Sequence, residues 1–197
     1  MKQFITFEGI DGSGKTTVMH NVYATLQKRG YNVIKTNEPT ETELGRCVQY
    51  CIKTNKEPVV TAFTFISDRI LHGKQIKQWL NEGCIVLCDR YADSTYAYQG
   101  TQLQDKMQDP IKWLQELSVN RFPIPDRTFL FDIDPHLAVQ RIQNRDELIA
   151  FEKVSFLEKV QKNYHDISKG KQYKIIDATQ SVEKISQIII DDIVEVT

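Results

Sequence analysis

Residues 9–16 read G-I-D-G-S-G-K-T, a full match to the pattern G-x4-G-K-S/T. The apolar run "QFITFEGI" leads into it. "TTVMHNVYATLQKRG" follows, with Val18, Val22 and Leu26 spaced for one helix face and Gly30 as a stop. A strand, a glycine turn and a helix start in that order leave few architectures open. Glycines let backbone N–H groups converge on anionic oxygens, and the helix aims its positive end at the same place. Lys15 is then placed for the β- and γ-phosphates of a nucleoside triphosphate, and Thr16 for a magnesium ion. The expected ATP-binding set is Gly9, Asp11, Gly12, Ser13, Gly14, Lys15, Thr16 and Thr17.

The rest of the chain alternates in the same way. "YNVIKTNEP", "CIVLCDRY", "PDRTFLFDID" and "YKIIDAT" read as four more strands with helical stretches between them. "CIVLC" is continuous and apolar, as a strand buried on both faces must be. The expectation is an α/β, three-layer fold: a five-stranded parallel sheet flanked by helices, in one domain over 1–197. Ligands in such folds bind beyond the carboxyl ends of the strands. The charged stretch from about 141 to 156 lies between two elements and reads as a flap.

Composition excludes several classes. Hydrophobic residues are 41% and charged residues 26%, as in a globular domain with one core. A formal net charge of −1 offers no electrostatic case for nucleic acid. No apolar run is long enough to cross a membrane. The amino terminus enters a strand pattern directly, without a signal-type apolar segment, so a cytosolic location is expected. The four cysteines form two C-x3-C pairs, Cys47/Cys51 and Cys84/Cys88. Such pairs can hold zinc. The setting of Cys84 and Cys88 on one face of an apolar strand favours reduced core thiols instead.

Two further stretches carry chemistry. In "CDRYADSTYAYQG", Asp89 and Arg90 end a buried strand beside the loop. The arginine can grip a phosphate bidentately, and the aspartate can orient magnesium-bound water. In "FTFISDRILH", Phe65 and Arg69 stand at i and i+4, one helix face that offers a stacking ring and a forked donor. "TNKE" at 54–57 is similar to a guanine reader but carries Glu57 where aspartate is wanted and precedes the third strand. A switch GTPase is therefore disfavoured.

"FEGIDGSGKTT", "EP", "FTFISDR", "DRYADSTYAYQG" and "IDATQ" stand in the order found in thymidylate kinases, and the chain resembles that family over nearly its whole length. The resemblance implies a P-loop nucleoside monophosphate kinase fold with a lid. It implies magnesium-dependent transfer of the ATP γ-phosphoryl to dTMP, and a homodimer. By the same resemblance Asp11 holds the acceptor sugar hydroxyl and Phe65 stacks on thymine. Arg69 donates to the thymine carbonyl, and Arg90, beside Asp89, grips the acceptor phosphate. Glu38 and Pro39 form the "EP" wall, Ser94 and Gln99 lie near the base, and Tyr98 closes the 2′ side of the sugar. Asp177, Ala178, Thr179 and Gln180 match the loop near the donor adenine. Thr16 and Asp89 are the magnesium residues.

Other members carry an arginine where this chain has Gly12. The missing cation is then expected in the lid, at Arg141 or Arg145, with Arg145 favoured. Asn37 stands where relatives have arginine in T-R-E-P, and Ile149-Ala150 where some carry D-R. A deoxynucleoside kinase is the nearest rival reading, and a dUMP kinase another.

Overall fold

The computed structural model describes residues 2–143 and 154–195. Five strands form one sheet: β1 (Gln3–Gly9), β2 (Val33–Asn37), β3 (Ile85–Asp89), β4 (Arg127–Asp132) and β5 (Tyr173–Asp177). Their order is β2-β3-β1-β4-β5, and every pairing is parallel. Helices connect them: α1 (Lys15–Lys28), α2 (Glu43–Lys53), α3 (Pro58–Asn81), α4 (Ala92–Leu103), α5 (Pro110–Ser118), α6 (Pro135–Gln143), α7 (Val154–Ile167) and α8 (Val182–Glu195).

Strand alternation divides the core. Ile5, Phe7, Ile85, Leu87 and Phe129 point to the face covered by α1, α7 and α8. Phe4, Cys84, Val86 and Cys88 point to the other face, where Ala62, Ile76 and Leu114 of α3 and α5 close over them. Local signals fix the helix ends. Thr42 caps α2 by accepting from the Gly45 N–H at 3.2 Å. Asp109 caps α5, whose first residue is Pro110. The α2–α3 turn falls on "TNKE", with Asn55 in the left-handed region at φ 49°.

Three of the four cysteines, Cys51, Cys84 and Cys88, are buried, and Cys47 is exposed. All four are free thiols. Among the described residues no group of three or more His, Cys, Asp or Glu could hold a metal. Nor is any described helix long and apolar enough to cross a membrane.

The registers bring the strand ends to one edge. Asn37 pairs with Asp89, Gly9 with Phe131, and Asp132 with Asp177. This is the edge at which a parallel sheet presents ligands to its loops.

Candidate active site

The turn from β1 into α1 carries positive φ at Gly9, Gly12 and Gly14. Gly12, at φ +83°, lies so close to α6 that a Cβ there would stand 2.3 Å from the Ala138 carbonyl oxygen. Lys15 is buried, and its Nζ donates to the Ile10 carbonyl at 2.9 Å and to Ser13 Oγ at 3.4 Å. Burial and the nearby Arg90 charge push the Lys15 pKa down to about 8, against the pull of Asp11, Asp89 and Glu8. Thr16 Oγ1 donates to Asp89 Oδ2 at 2.5 Å. The other oxygen, Asp89 Oδ1, is buried and has no hydrogen-bond partner among the described residues. Asp11, Gly12, Lys15, Thr16 and Thr17 line a cavity of about 830 Å³, with Asn37, Asp89 and Arg90 opposite.

Arg90 sits at the junction with a second cavity. Its backbone is in the left-handed region at φ 66°, which costs a non-glycine residue about 1–2 kcal/mol. The surroundings fix it there. Its Nη2 pairs with Asp11 Oδ1 and approaches the Tyr98 hydroxyl at 3.5 Å. The Tyr98 hydroxyl donates to Asp11 Oδ2 at 3.1 Å and accepts from the Asp11 N–H at 3.2 Å. Burial alone would raise the Asp11 pKa, but the Arg90 and Lys15 charges outweigh it and hold the carboxyl below its ordinary value.

The second cavity, about 140 Å³ and mainly apolar, has Pro39, Ile52, Phe65, Tyr91 and Tyr98 in its wall, with Ser94 and Gln99 as polar points. Gln99 Oε1 is buried without a partner among the described residues. Asp11, Glu38 and Arg90 border both cavities.

Arg69 is not in either wall. It is wholly buried, with Nε donating to Glu38 Oε2 at 2.7 Å and Nη2 to Thr95 Oγ1 at 2.8 Å and the Tyr91 carbonyl at 3.0 Å. His72 Nδ1 lies 2.9 Å from Glu38 Oε1. The carboxylate of Glu38, behind the cis Glu38–Pro39 peptide, is thus fixed from two sides. A buried arginine needs such a partner, because an uncompensated charge in the interior costs several kcal/mol (about 3–5). Nη1 of Arg69 has no partner among the described residues.

The remaining expected residues scatter. Arg141, in the last turn of α6, borders the larger cavity and donates to the Ala178 carbonyl at 3.1 Å. Thr179 and Gln180 follow β5 and bond to Asp177, outside both cavity walls. Arg145 and most of the expected 141–156 flap lie outside the described residues. Sequence reasoning did not single out Glu8, Thr95, His72 or Tyr164, all of which bond directly to site residues. For Glu8 a signal existed: a carboxylate inside an apolar strand must have buried partners.

A phosphate-loop cavity and an apolar pocket that meet at one arginine, on a parallel sheet of this order, define a P-loop nucleoside monophosphate kinase. Such proteins are phosphotransferases. Comparison with known proteins narrows the class: the family model described as thymidylate kinase matches residues 7–189, and the chain belongs to that family. It is 36% identical to a probable thymidylate kinase of Methanosarcina acetivorans over 197 residues, covering 98% of this chain and 96% of the relative. A probable thymidylate kinase of Sulfurisphaera tokodaii is 39% identical over 188 residues, covering 95% and 93%. The thymidylate kinase of an Exiguobacterium species is 35% identical over 201 aligned positions, covering 98% and 94%.

Proposed function

We propose that the protein transfers the γ-phosphoryl of ATP to dTMP, giving dTDP and ADP. The observation that carries this reading is the junction of the two cavities at Asp11 and Arg90. A donor phosphate in the loop and an acceptor phosphate at Arg90 meet there. An acceptor phosphate oxygen bonds to the γ-phosphorus while the bond to the β–γ bridging oxygen breaks and ADP leaves. The transition state spreads negative charge over the equatorial oxygens, so positioned cations dominate the rate. Lys15 takes the donor side, Arg90 the acceptor side, and Arg141 or Arg145 the migrating group.

The donor set at the loop suits magnesium. The Thr16 hydroxyl and the Asp89 carboxylate, with its orphaned Oδ1, are hard oxygen ligands, and two protein ligands suffice when phosphates supply others. When bound at Thr16 and Asp89, the ion would neutralise charge on the β- and γ-oxygens. On the acceptor side, Phe65 stacks on thymine and Pro39 packs beside it. Gln99 faces the base, Ser94 lines the same pocket with its hydroxyl turned to Glu8 and Arg90, and Tyr98 and Asp11 hold the deoxyribose. Glu38 shapes the wall, held from behind by the buried Arg69. Ala178, Thr179 and Gln180 border the adenine. A homodimer is supported by the exposed Tyr50, Val60, Phe63 and Leu71 of α2 and α3; the particle mass in solution decides it. A cytosolic location is part of the same reading, and imaging of the tagged chain in its native cell checks it.

An acceptor screen with ATP and magnesium tests the reaction. We expect dTMP to be the best acceptor and thymidine to give essentially no turnover. Rapid use of thymidine alone would overturn the reading in favour of a nucleoside kinase. dUMP is expected to trail by about 10–200-fold, the range a single methyl in an apolar pocket provides.

ATP affinity should also depend on pH. The bound anion raises the Lys15 pKa above its free-site value of about 8. Binding therefore takes up a proton once the pH exceeds that value. Affinity is flat below it and weakens above it by up to about tenfold per pH unit. Calorimetric titration of ATP on either side of that value checks this, and equal affinities on both sides would remove the depressed Lys15 from the account.

A further inference from the structure

Arg90 is held on the side away from Asp11 by a buried cluster that the proposed mechanism has not used. Its Nη1 donates to Ser94 Oγ at 3.1 Å, to the Gly9 carbonyl at 3.1 Å and to the Tyr164 hydroxyl at 3.4 Å. Behind these hydroxyls lies Glu8, at the end of β1 and only 1% exposed. Glu8 Oε2 accepts from Ser94 Oγ at 2.6 Å and from the Tyr164 hydroxyl at 3.1 Å. Glu8 Oε1 accepts from the Tyr91 N–H at 2.7 Å and from the Ser94 N–H at 3.4 Å.

The proton count constrains the bonds of this cluster, in which the 2.9 Å bond between Ser94 Oγ and the Tyr164 hydroxyl can run either way. Arg90 can only donate, so both hydroxyls must accept from it. Each hydroxyl has one proton, and both protons are within reach of the acceptor-only carboxylate of Glu8. The carboxylate thus turns the two oxygens toward the guanidinium. Tyr164 closes the cluster from α7, with its ring edge-on to Tyr98 at 6.4 Å.

We propose that Glu8 and Tyr164 are positioning residues for Arg90: by drawing off the hydroxyl protons of Ser94 and Tyr164, Glu8 fixes one edge of the guanidinium so that the other edge faces the acceptor phosphate. The inference rests on the reading that Arg90 binds that phosphate. An amide at position 8 has nearly the same shape but carries N–H donors. In Glu8→Gln one hydroxyl proton is turned back toward Arg90, and the grip fails without a change in packing volume.

The test compares dTMP with thymidine, which lacks the phosphate, by calorimetric binding in the absence of ATP. Wild-type protein should bind dTMP far more tightly than thymidine. In Tyr164→Phe and in Glu8→Gln the dTMP affinity should fall by about tenfold, the loss of one hydrogen bond to a charged group. Thymidine affinity should stay within about twofold of wild type, and the KM for ATP with it. Tyr164→Phe keeps the aromatic ring and its packing, so it serves even where Glu8→Gln does not fold. An unchanged dTMP affinity in Tyr164→Phe, or equal weakening of both ligands, would overturn the positioning role. A wild-type protein with no preference for dTMP over thymidine would instead remove Arg90 from the phosphate.

Discussion

Lys15→Ala should lose nearly all turnover while keeping the fold. Lys15 is the one lysine among the described residues in the wall of the larger cavity, and its Nζ is already aimed at the loop through Ile10 and Ser13. Removing one preorganised charge donor from a water-poor site costs about 10²–10³-fold in kcat. The fold should not suffer, because the buried ammonium is itself poorly solvated, as its depressed pKa records. Alanine also has the highest helix propensity and suits the first turn of α1. A coupled ADP-release assay reads the loss and thermal melting reads the fold. Near-normal turnover would sink the role of Lys15, and collapse of the melt would show the residue to be structural.

Gly12→Arg should be strongly destabilising. Two separate terms add at this position. The left-handed φ of +83° is costly for any residue with a Cβ, and that Cβ would stand 2.3 Å from the Ala138 carbonyl. Backbone strain of this kind costs about 1–3 kcal/mol, and overpacking against backbone about 1–3 more. For a chain of this size the sum lowers Tm by roughly 4–24 °C. Gly12→Ala should show most of the effect, since the clash begins at Cβ. In this chain α6 approaches the loop and brings Arg141 to the cavity. A cation at position 12 and α6 in its present place exclude one another. A Gly12→Ala protein that melts with wild type would break this link.

Much of this molecule could be read from its residues because its three central strands, β1, β3 and β4, are buried on both faces. Continuous apolar runs such as "CIVLC" mark the central strands, and the edge strands β2 and β5 showed in the alternation of strand-like and helical stretches. The phosphate loop was visible because its geometry is local. What escaped was non-local. Phe65 and Arg69 do share a face of α3, yet nothing in their spacing announces Glu38, 31 positions away, which draws Arg69 into the interior. Ser94 was placed near the base by resemblance, but its hydroxyl is committed to Glu8 and Arg90. Helix α5 went unread because its nine residues show an amphipathic pattern too short to stand out from a loop. Tyr164 had no signal at all: a tyrosine on an amphipathic helix is ordinary until its hydroxyl is seen against a carboxylate 156 positions away.

The pairing of Arg90 with Asp11, and of the Lys15 ammonium with its own loop carbonyl, has a consequence for the end of the cycle. Each of these two cations already has a protein partner waiting. Arrival of substrate is an exchange of partners, and so is departure of product. A site that bound its anions with otherwise unpaired cations would hold dTDP and ADP as tightly as it had held their precursors. Here Asp11 and the loop backbone take the cations back as the phosphates leave, so the free enzyme is returned without exposing bare charge.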